Sequence, residues 1–530
     1  MNVIAAKLGE VGLPQPISEL AKTTWDAVIV GGGHNGLTAA AYLARAGQST
    51  LVLERRERLG GACTLERPFP DDRYQVSPCA YVVGLLDQLV IDELQLRRRG
   101  FECYVADPNL WVPFADGTSF GQWLDDAKTQ RNLEDLGVSP KDIAGYWAYE
   151  HLFDEIRKRL RARGRDTWVG DSPTREEIED LLHGEQTMID ILFSASIADV
   201  LDDHMADQRL KDALFGQGII AAYGGPRDPG TASIKLMHYQ GDLEGQGPVW
   251  GYVKGGMGMI SFAIADAARE AGAQLAAGVE VAEIIPQQGV RLTDGTLIRA
   301  RNILCNADPK HALRLLTDLP DDYRIRLERW KIRSPVVKFN AALTALPDWT
   351  AAPGAHWPAR ATIDVTEGLD AAQRAFARCV SGEPAVGFGE IYVQTGYDPS
   401  PAPENRHLLS VFGQYAPYDM DWSTRRDEVA KQFIDLIARF APNFPDILEA
   451  YEVLGPPDIE ERIGLTQGNI FQGEVTPDQM WEHRLTPRTP VPNFYFCGAA
   501  THPGGSVIAL NGRNAAQAVL ADAHIGAPAI

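Results

Sequence analysis

The feature that most constrains this chain is a glycine turn set between a strand and a helix. Ala27-Val28-Ile29-Val30 is a short apolar run of the kind that forms a buried parallel strand. It leads directly into Gly31-Gly32-Gly33-His34-Asn35-Gly36, a GxGxxG pattern at 31, 33 and 36. Residues 36–46, rich in Ala and Leu, read as a helix that Gly47 ends. Gly31 permits the tight turn, Gly33 lacks the Cβ that would collide with a pyrophosphate, and Gly36 lets helix and strand approach closely. The helix start offers free N–H groups and roughly half a positive charge to phosphates. Ser49 to Glu54 reads as the second strand, and Glu54 closes it where a carboxylate can accept hydrogen bonds from ribose hydroxyls. A 2′-phosphate would be repelled there, which disfavours NADP. A purely structural glycine turn would give no reason for the acidic partner.

NAD and FAD sites share this fingerprint, and two further features separate them. Arg58-Leu59-Gly60-Gly61 follows the acidic strand, where paired glycines let the backbone turn beside an extended cofactor. Far along the chain, Cys497-Gly498-Ala499-Ala500-Thr501-His502-Pro503-Gly504-Gly505 precedes Gly512-Arg513-Asn514-Ala515-Ala516. A second glycine-rich strand-to-helix junction can present backbone N–H groups to the rest of a flavin. A simple NAD dehydrogenase has no need of it. FAD is the expected cofactor.

At 530 residues the chain exceeds what one hydrophobic core usually supports. The pattern divides it into a first FAD-binding segment over 24–95, a helical substrate insertion over 96–249, and a second FAD-binding segment over 250–320. A second substrate segment over 321–454 and a C-terminal FAD-binding segment over 455–524 complete it. Within these, the pattern predicts a helix at Ile260–Ala271 and a strand around Val279–Ile285. A hairpin (Val290–Leu292, a turn at Asp294-Gly295, Thr296–Arg299) leads into a strand at Ile303–Cys305. The pattern also predicts a strand at Val336–Leu343, helices near Ile156–Arg163, Ser196–His204 and Glu428–Phe440, and loops in the Pro- and Gly-rich stretch 353–405. A strand at Asn493–Cys497 and a helix at Arg513–Asp522 close the chain.

Composition excludes several alternatives. The 50 basic against 71 acidic side chains give a formal charge of −21, which argues against a nucleic-acid partner. The six cysteines show no CxxC spacing, which excludes a dithiol centre or zinc knuckle, and no metal site is expected. Residues 1–24, with Lys7, Glu10, Glu19 and Lys22, lack the apolar stretch of a signal peptide. No window reaches about 18 uninterrupted apolar residues. The expectation is a soluble cytoplasmic protein, with peripheral membrane contact left open. No second GxGxxG follows a strand, since Gly255-Gly256-Met257-Gly258 has the wrong spacing, so a separate NAD(P)H-binding domain is not expected.

The stretch DAVIVGGGHNGLTAAAYLARAGQSTLVLERRERLGGACT resembles the start of the phytoene desaturase-related FAD oxidoreductases. The blocks YVKGGMGMISFAIADAAREAGA (252–273), ILCNADPK (303–310), GNIFQGEVTPDQMW (468–481) and NFYFCGAATHPGG (493–505) agree with that resemblance. It implies an α/β fold in which a Rossmann-type FAD-binding domain, similar to the amine oxidases, carries an inserted α+β substrate domain. It further implies non-covalent FAD and a long apolar substrate. By motif position, the implied flavin contacts are Gly31, Gly33, Gly36 and Glu54, then Arg58, Gly61 and Val281, then Gly498 and Asn514. Gln472 stands where many relatives have His, and Ser506 and Ala509-Leu510-Asn511 replace a more glycine-rich run. The flavin face is therefore expected to be bulkier or more polar than in a carotenoid desaturase.

No general base is evident, and flavin hydride chemistry often needs none. Two weak catalytic candidates stand out. His502 could serve as an acid or base beside the flavin, or merely bond a carbonyl in its turn. Lys338 shares one strand face with Asn340, which could line a cavity or occupy an exposed edge. Arg513 is a further candidate cofactor contact. Cys63 and Cys497 read as buried packing residues. Arg97-Arg98-Arg99 reads as a solvated cluster. Trp111, Phe114, Tyr223, Trp250 and Tyr252 are candidates for an apolar substrate lining. The leading expectation is a dehydrogenase or desaturase moving hydride from a hydrophobic, isoprenoid- or lipid-like small molecule to FAD. A flavin-dependent non-redox polyene isomerase and a low-turnover regulatory flavoprotein are the alternatives.

Overall fold

A computed structural model describes residues 8–525. Lys7 and the six residues before it, part of the N-terminal stretch read above, lie outside the described residues. Among the described residues, two seven-stranded sheets and a helical layer enclose a deep cleft.

The first sheet grows from the strand Thr24–Val30, which pairs in parallel with Thr50–Glu54 on one side and Leu297–Cys305 on the other. Gln274–Ala277 extends the sheet in parallel beyond Thr50–Glu54. The inner strands are almost wholly buried, as expected for parallel strands covered on both faces. The upper half of Leu297–Cys305 pairs in parallel with Phe494–Phe496, so residues nearly two hundred positions apart meet beside the glycine turn. Its lower half pairs antiparallel with Gly289–Leu292, which in turn pairs with Val281–Ile285. Helices His34–Arg45, Gly258–Glu270 and Leu510–Ile525 cover one face. The first and last of these approach closely because Gly512 has no side chain: a Cβ there would lie 2.0 Å from the Asn35 carbonyl oxygen.

The second sheet runs in the order Leu448–Leu454, Val336–Leu343, His407–Gln414, Phe388–Tyr392, Thr362–Thr366, Leu110–Pro113, Ser119–Gln122. It draws strands from both expected insertions. Helix Trp422–Ala438 packs against the sheet through Val429, Phe433 and Ile437. The helical layer, including Pro140–Leu160, Gln186–Phe193, Ile197–His204 and Thr231–His238, packs around Tyr146, Tyr149 and Phe153.

Four local details extend or differ from the sequence expectations. The strand expected around Val279–Ile285 is present as Val281–Ile285, and a further strand, Gln274–Ala277, precedes it across the turn at Gly278 (φ +76°). The hairpin's second arm and the strand after it form one continuous strand, Leu297–Cys305. Residues 353–405 contain, besides the expected loops, strands Thr362–Thr366 and Phe388–Tyr392 and helix Leu369–Val380. Their charged residues Asp364 and Glu390 are buried in the sheet, which hid the strands from a hydrophobic pattern. The helix over Ile156–Arg163 begins at Pro140 and ends at Leu160.

Candidate active site

The cleft opens at the carboxyl ends of the first sheet's strands, where ligands of open α/β sheets bind. It measures about 220 Å³, where one water needs roughly 10–15 Å³ on the same measure. At its outer end lie Gly31, Gly33 and the first helical residues His34 and Asn35. Gly33 is the helix N-cap, so the free N–H groups of that turn face the cleft. A Cβ on Gly33 would fall 2.8 Å from Asn306 Nδ2, and one on Gly36 would fall 2.3 Å from the Gly31 carbonyl oxygen. The His34 Nε2 is buried without a partner. Burial pushes its imidazole down to about 4, so it is neutral and free to hydrogen-bond an incoming group.

Glu54 ends its strand at the cleft wall and is 7% exposed. Its Oε2 accepts from the Gly32 amide at 2.7 Å and its Oε1 from the Arg56 amide at 2.9 Å. Burial raises its pKa, opposed by these amides and by Arg56 and Arg55. Each oxygen keeps a lone pair for a ribose hydroxyl. Gly61 and Val281 also line the cleft.

The inner end reaches the second sheet. Lys338 pairs in register with Phe412, Phe412 with Glu390, and Glu390 with Asp364, so these four side chains share one face of four adjacent strands. Lys338 is wholly buried on an inner strand, not on an edge. Its Nζ has no hydrogen-bond partner and sits 3.6 Å from the Phe412 ring centroid and 4.9 Å from that of Tyr81. Burial lowers its pKa to about 7. Glu390 Oε1 accepts from the Tyr392 hydroxyl and Oε2 from Gln217 Nε2 at 3.0 Å. Burial raises the Glu390 carboxyl to about 7 and drives that of Asp364 well upward. Around this face the lining is apolar and aromatic: Tyr81, Ile220, Trp250, Phe471 and Val507.

Of the residues anticipated from sequence, Gly31, Gly33, Glu54, Gly61, Val281 and Lys338 meet at the cleft. Gly36 lies behind the turn, packed on Gly31. Gly498 also lies behind the wall, where a Cβ would meet Gln472 Oε1 at 2.4 Å, while the next residue, Ala499, lines the cleft. The structure does not bring in Arg58, Arg513, Asn514 or His502. Arg58 donates to the Leu65 carbonyl and pairs with Glu10 at 3.6 Å. Arg513 is spent on Glu93, at 2.8 and 3.0 Å. Asn514 ties the last helix to the helical layer, donating to the Trp168 carbonyl and accepting from the Gly170 amide, both at 3.0 Å. His502 bonds through Nε2 to the Thr167 carbonyl, not to one in its own turn, and burial holds its imidazole near 4. Cys63 lines the cleft, but burial pushes its thiol up to about 12, and Cys497 is packed in the core. Among the aromatic candidates Trp250 lines the cleft, whereas Trp111, Phe114, Tyr223 and Tyr252 do not. Within the arginine trio, Arg97 pairs with Glu244 and Arg99 with Glu270.

Sequence reasoning missed Asn306, His238, Gln217 and Glu390. Asn306 was findable: it follows the strand beside the glycine turn, where its Nδ2 donates to the Gly31 carbonyl at 3.3 Å. Arg484 was missed as well, though it is wholly buried. It donates to the carbonyls of Glu474, Phe471 and Ala499, tying the 468–481 block to the C-terminal return. Gln472 joins the same pieces, donating to the Asn306 carbonyl at 2.9 Å and accepting from the Ala500 amide at 3.2 Å.

Glycine turn, helix terminus, buried acid and C-terminal return together define a dinucleotide site of the flavoenzyme type. Comparison with known proteins bears on this directly. Residues 114–520 match the family described as flavin containing amine oxidoreductase, and residues 29–84 match the NAD(P)-binding Rossmann-like domain. The chain belongs to the flavin containing amine oxidoreductase family; it is an FAD-dependent oxidoreductase. Among its relatives is the mouse pyridine nucleotide-disulfide oxidoreductase domain-containing protein 2, 32% identical with 94% of each chain covered. The hydroxyneurosporene desaturase of Cereibacter sphaeroides is 25% identical, covering 93% of this chain and 97% of its own. Putrescine oxidase, solved with bound putrescine, shares the fold at a TM-score of 0.61 and 17% identity, covering 95% of this chain and 99% of its own. Among the described residues no helix is long and apolar enough to cross a membrane.

Proposed function

We propose that this enzyme oxidises an apolar small molecule, taking hydride equivalents from a C–H bond as dehydrogenases and desaturases do. The observation that carries the proposal is the inner lining, where Tyr81, Ile220, Trp250, Phe412 and Phe471 surround a small number of buried polar groups. Sites of that composition bury hydrocarbon and use their few polar atoms to orient it. FAD, when bound, supplies the two-electron acceptor. For holding it we assign Gly31, Gly33, Gly61 and Val281 to close backbone approach, Glu54 to the ribose, and the amides at His34 and Asn35 to the pyrophosphate. The chain's remaining task is to orient the substrate and exclude water. The likeness to hydroxyneurosporene desaturase supports an apolar substrate.

The test is anaerobic mixing of purified holoprotein with a panel of terpenoid, long-chain and simple amine compounds while following the visible flavin band. Bleaching by apolar members supports the reading. Bleaching by the small amines alone overturns it.

A further inference from the structure

Outside the cleft, residues 8–12 run along the back of the turn at Arg58–Gly61. The Gly9 carbonyl accepts from the Leu59 amide at 2.7 Å, and the Gly12 carbonyl accepts from the Ala277 amide at 3.0 Å. Ala277 ends the edge strand Gln274–Ala277, so this segment also occupies a donor on a sheet edge. Glu10 bridges to Arg58 in antiparallel fashion, and their side chains pair at 3.6 Å. Leu8, 5% exposed, packs with Leu65 and Phe262. Only glycine suits position 9: its φ is +75°, and a Cβ would lie 2.2 Å from Phe262 Cε1. The residue held from behind, Leu59, is wholly buried and joins the two glycine turns. Its side chain backs Gly32, where a Cβ would fall 2.8 Å from Leu59 Cδ2. Its neighbour Gly60 donates to the Gly32 carbonyl at 2.8 Å, and a Cβ on Gly61 would fall 3.3 Å from Gly33 Cα. Thr64 Oγ1 donates to the Leu59 carbonyl at 2.6 Å, closing the loop on which Leu8 rests.

We propose that residues 8–12 are a positioning strap for FAD. They line no part of the cleft, yet through Leu59 they lock the spacing between the turns at Gly31–Gly33 and Gly60–Gly61, and so slow release of the cofactor. Leu8 and Gly9 are the positioning residues: one anchors the strap, and the other supplies the acceptor for the buried Leu59 amide. Unfastened, that amide loses its partner and the second glycine turn loses its backing. The coupling is reciprocal: a strap that favours bound FAD is itself favoured by bound FAD to the same factor. This is independent of which substrate the enzyme oxidises.

The test has two arms on the full chain. In the first, amide hydrogen exchange is compared between wild-type holoprotein and the same protein stripped of FAD. The Ala277 amide, which bonds the strap and lies outside the cleft lining, should exchange about tenfold faster once FAD is gone. In the second, FAD release is timed by the recovery of flavin fluorescence. Leu8→Asp, which puts a charge between Leu65 and Phe262, and Gly9→Ala should each release FAD about tenfold faster than wild type. Leu8→Met keeps the anchor and should stay within about twofold of wild type. Arg513→Ala, which breaks a pair remote from the strap, controls for general loss of stability and should leave release unchanged. Release within twofold of wild type in both Leu8→Asp and Gly9→Ala overturns the strap, as does equally fast release from Arg513→Ala. Equal exchange at Ala277 with and without FAD overturns it as well, and that arm decides alone if neither substituted chain folds.

Discussion

Replacing Lys338 with Met should stabilise the protein, because the lysine occupies a site that penalises its charge. Its pKa falls from 10.5 to about 7 through burial. At about 1.36 kcal/mol per pH unit, neutralising it at pH 7 costs the native state about 4 kcal/mol. Met keeps the length of the side chain and its contacts with Phe412 and Tyr81. It gives up cation–π contacts worth about 0.5–2 kcal/mol. Desolvation is the larger effect, leaving a net gain of about 2–4 kcal/mol and a rise in melting temperature of roughly 2–6 °C. The pH dependence identifies the cause. Between about pH 7 and 10.5 the unfolded chain holds this proton and the native protein does not, so wild-type stability rises with pH across that window. The variant lacks that contribution, and its advantage over wild type should shrink steadily from pH 7 to pH 10. Thermal denaturation of both proteins at matched flavin occupancy, in steps of pH, measures it. A variant that melts below wild type at pH 7, or a difference that stays flat with pH, would refute the reasoning.

Three other outcomes follow from the same geometry. Gly36→Val drives a side chain onto the Gly31 carbonyl oxygen, where a Cβ would lie at 2.3 Å, and should reduce flavin content on purification to below a tenth of wild type. Arg513→Ala removes the Glu93 pair from the helix face and should cost about 1–2 kcal/mol in chemical denaturation while leaving flavin content unchanged; flavin loss would restore Arg513 to the cofactor site. Glu390→Gln should matter with the opposite pH sense to Lys338. The native carboxyl keeps its proton to about 7 against 4.5 when unfolded, so wild type loses stability as pH rises from 4.5 to 7, and the Gln variant should not, as denaturation midpoints across that range will show.

The outer half of the site was legible because backbone chemistry dictates it. A turn that must admit a phosphate needs glycine at 31 and 33, and a parallel strand buried on both faces needs the apolar run before it. Those demands leave marks in a handful of consecutive residues. Arg513 and Asn514 misled for the converse reason: motif position fixes where the helix starts, whereas the long side chain chooses its partner from the tertiary surroundings, here Glu93, Trp168 and Gly170. The inner half was nearly silent. Lys338 was read as a candidate on a predicted strand, but Glu390 and Asp364 come from two neighbouring strands whose charges break the hydrophobic pattern and whose pairing order is set by the sheet. Their significance appears only once burial and register are known. Arg484 is similar, a charged residue whose three carbonyl partners lie on separated segments.

The central claim is that two ends of the chain close one cleft around FAD. Heat denaturation of the purified protein, followed by chromatography of the released small molecules, tests it most directly. The account predicts FAD, close to one per chain. A nicotinamide dinucleotide in its place, or no flavin released and none bound on incubation with excess FAD, would contradict it.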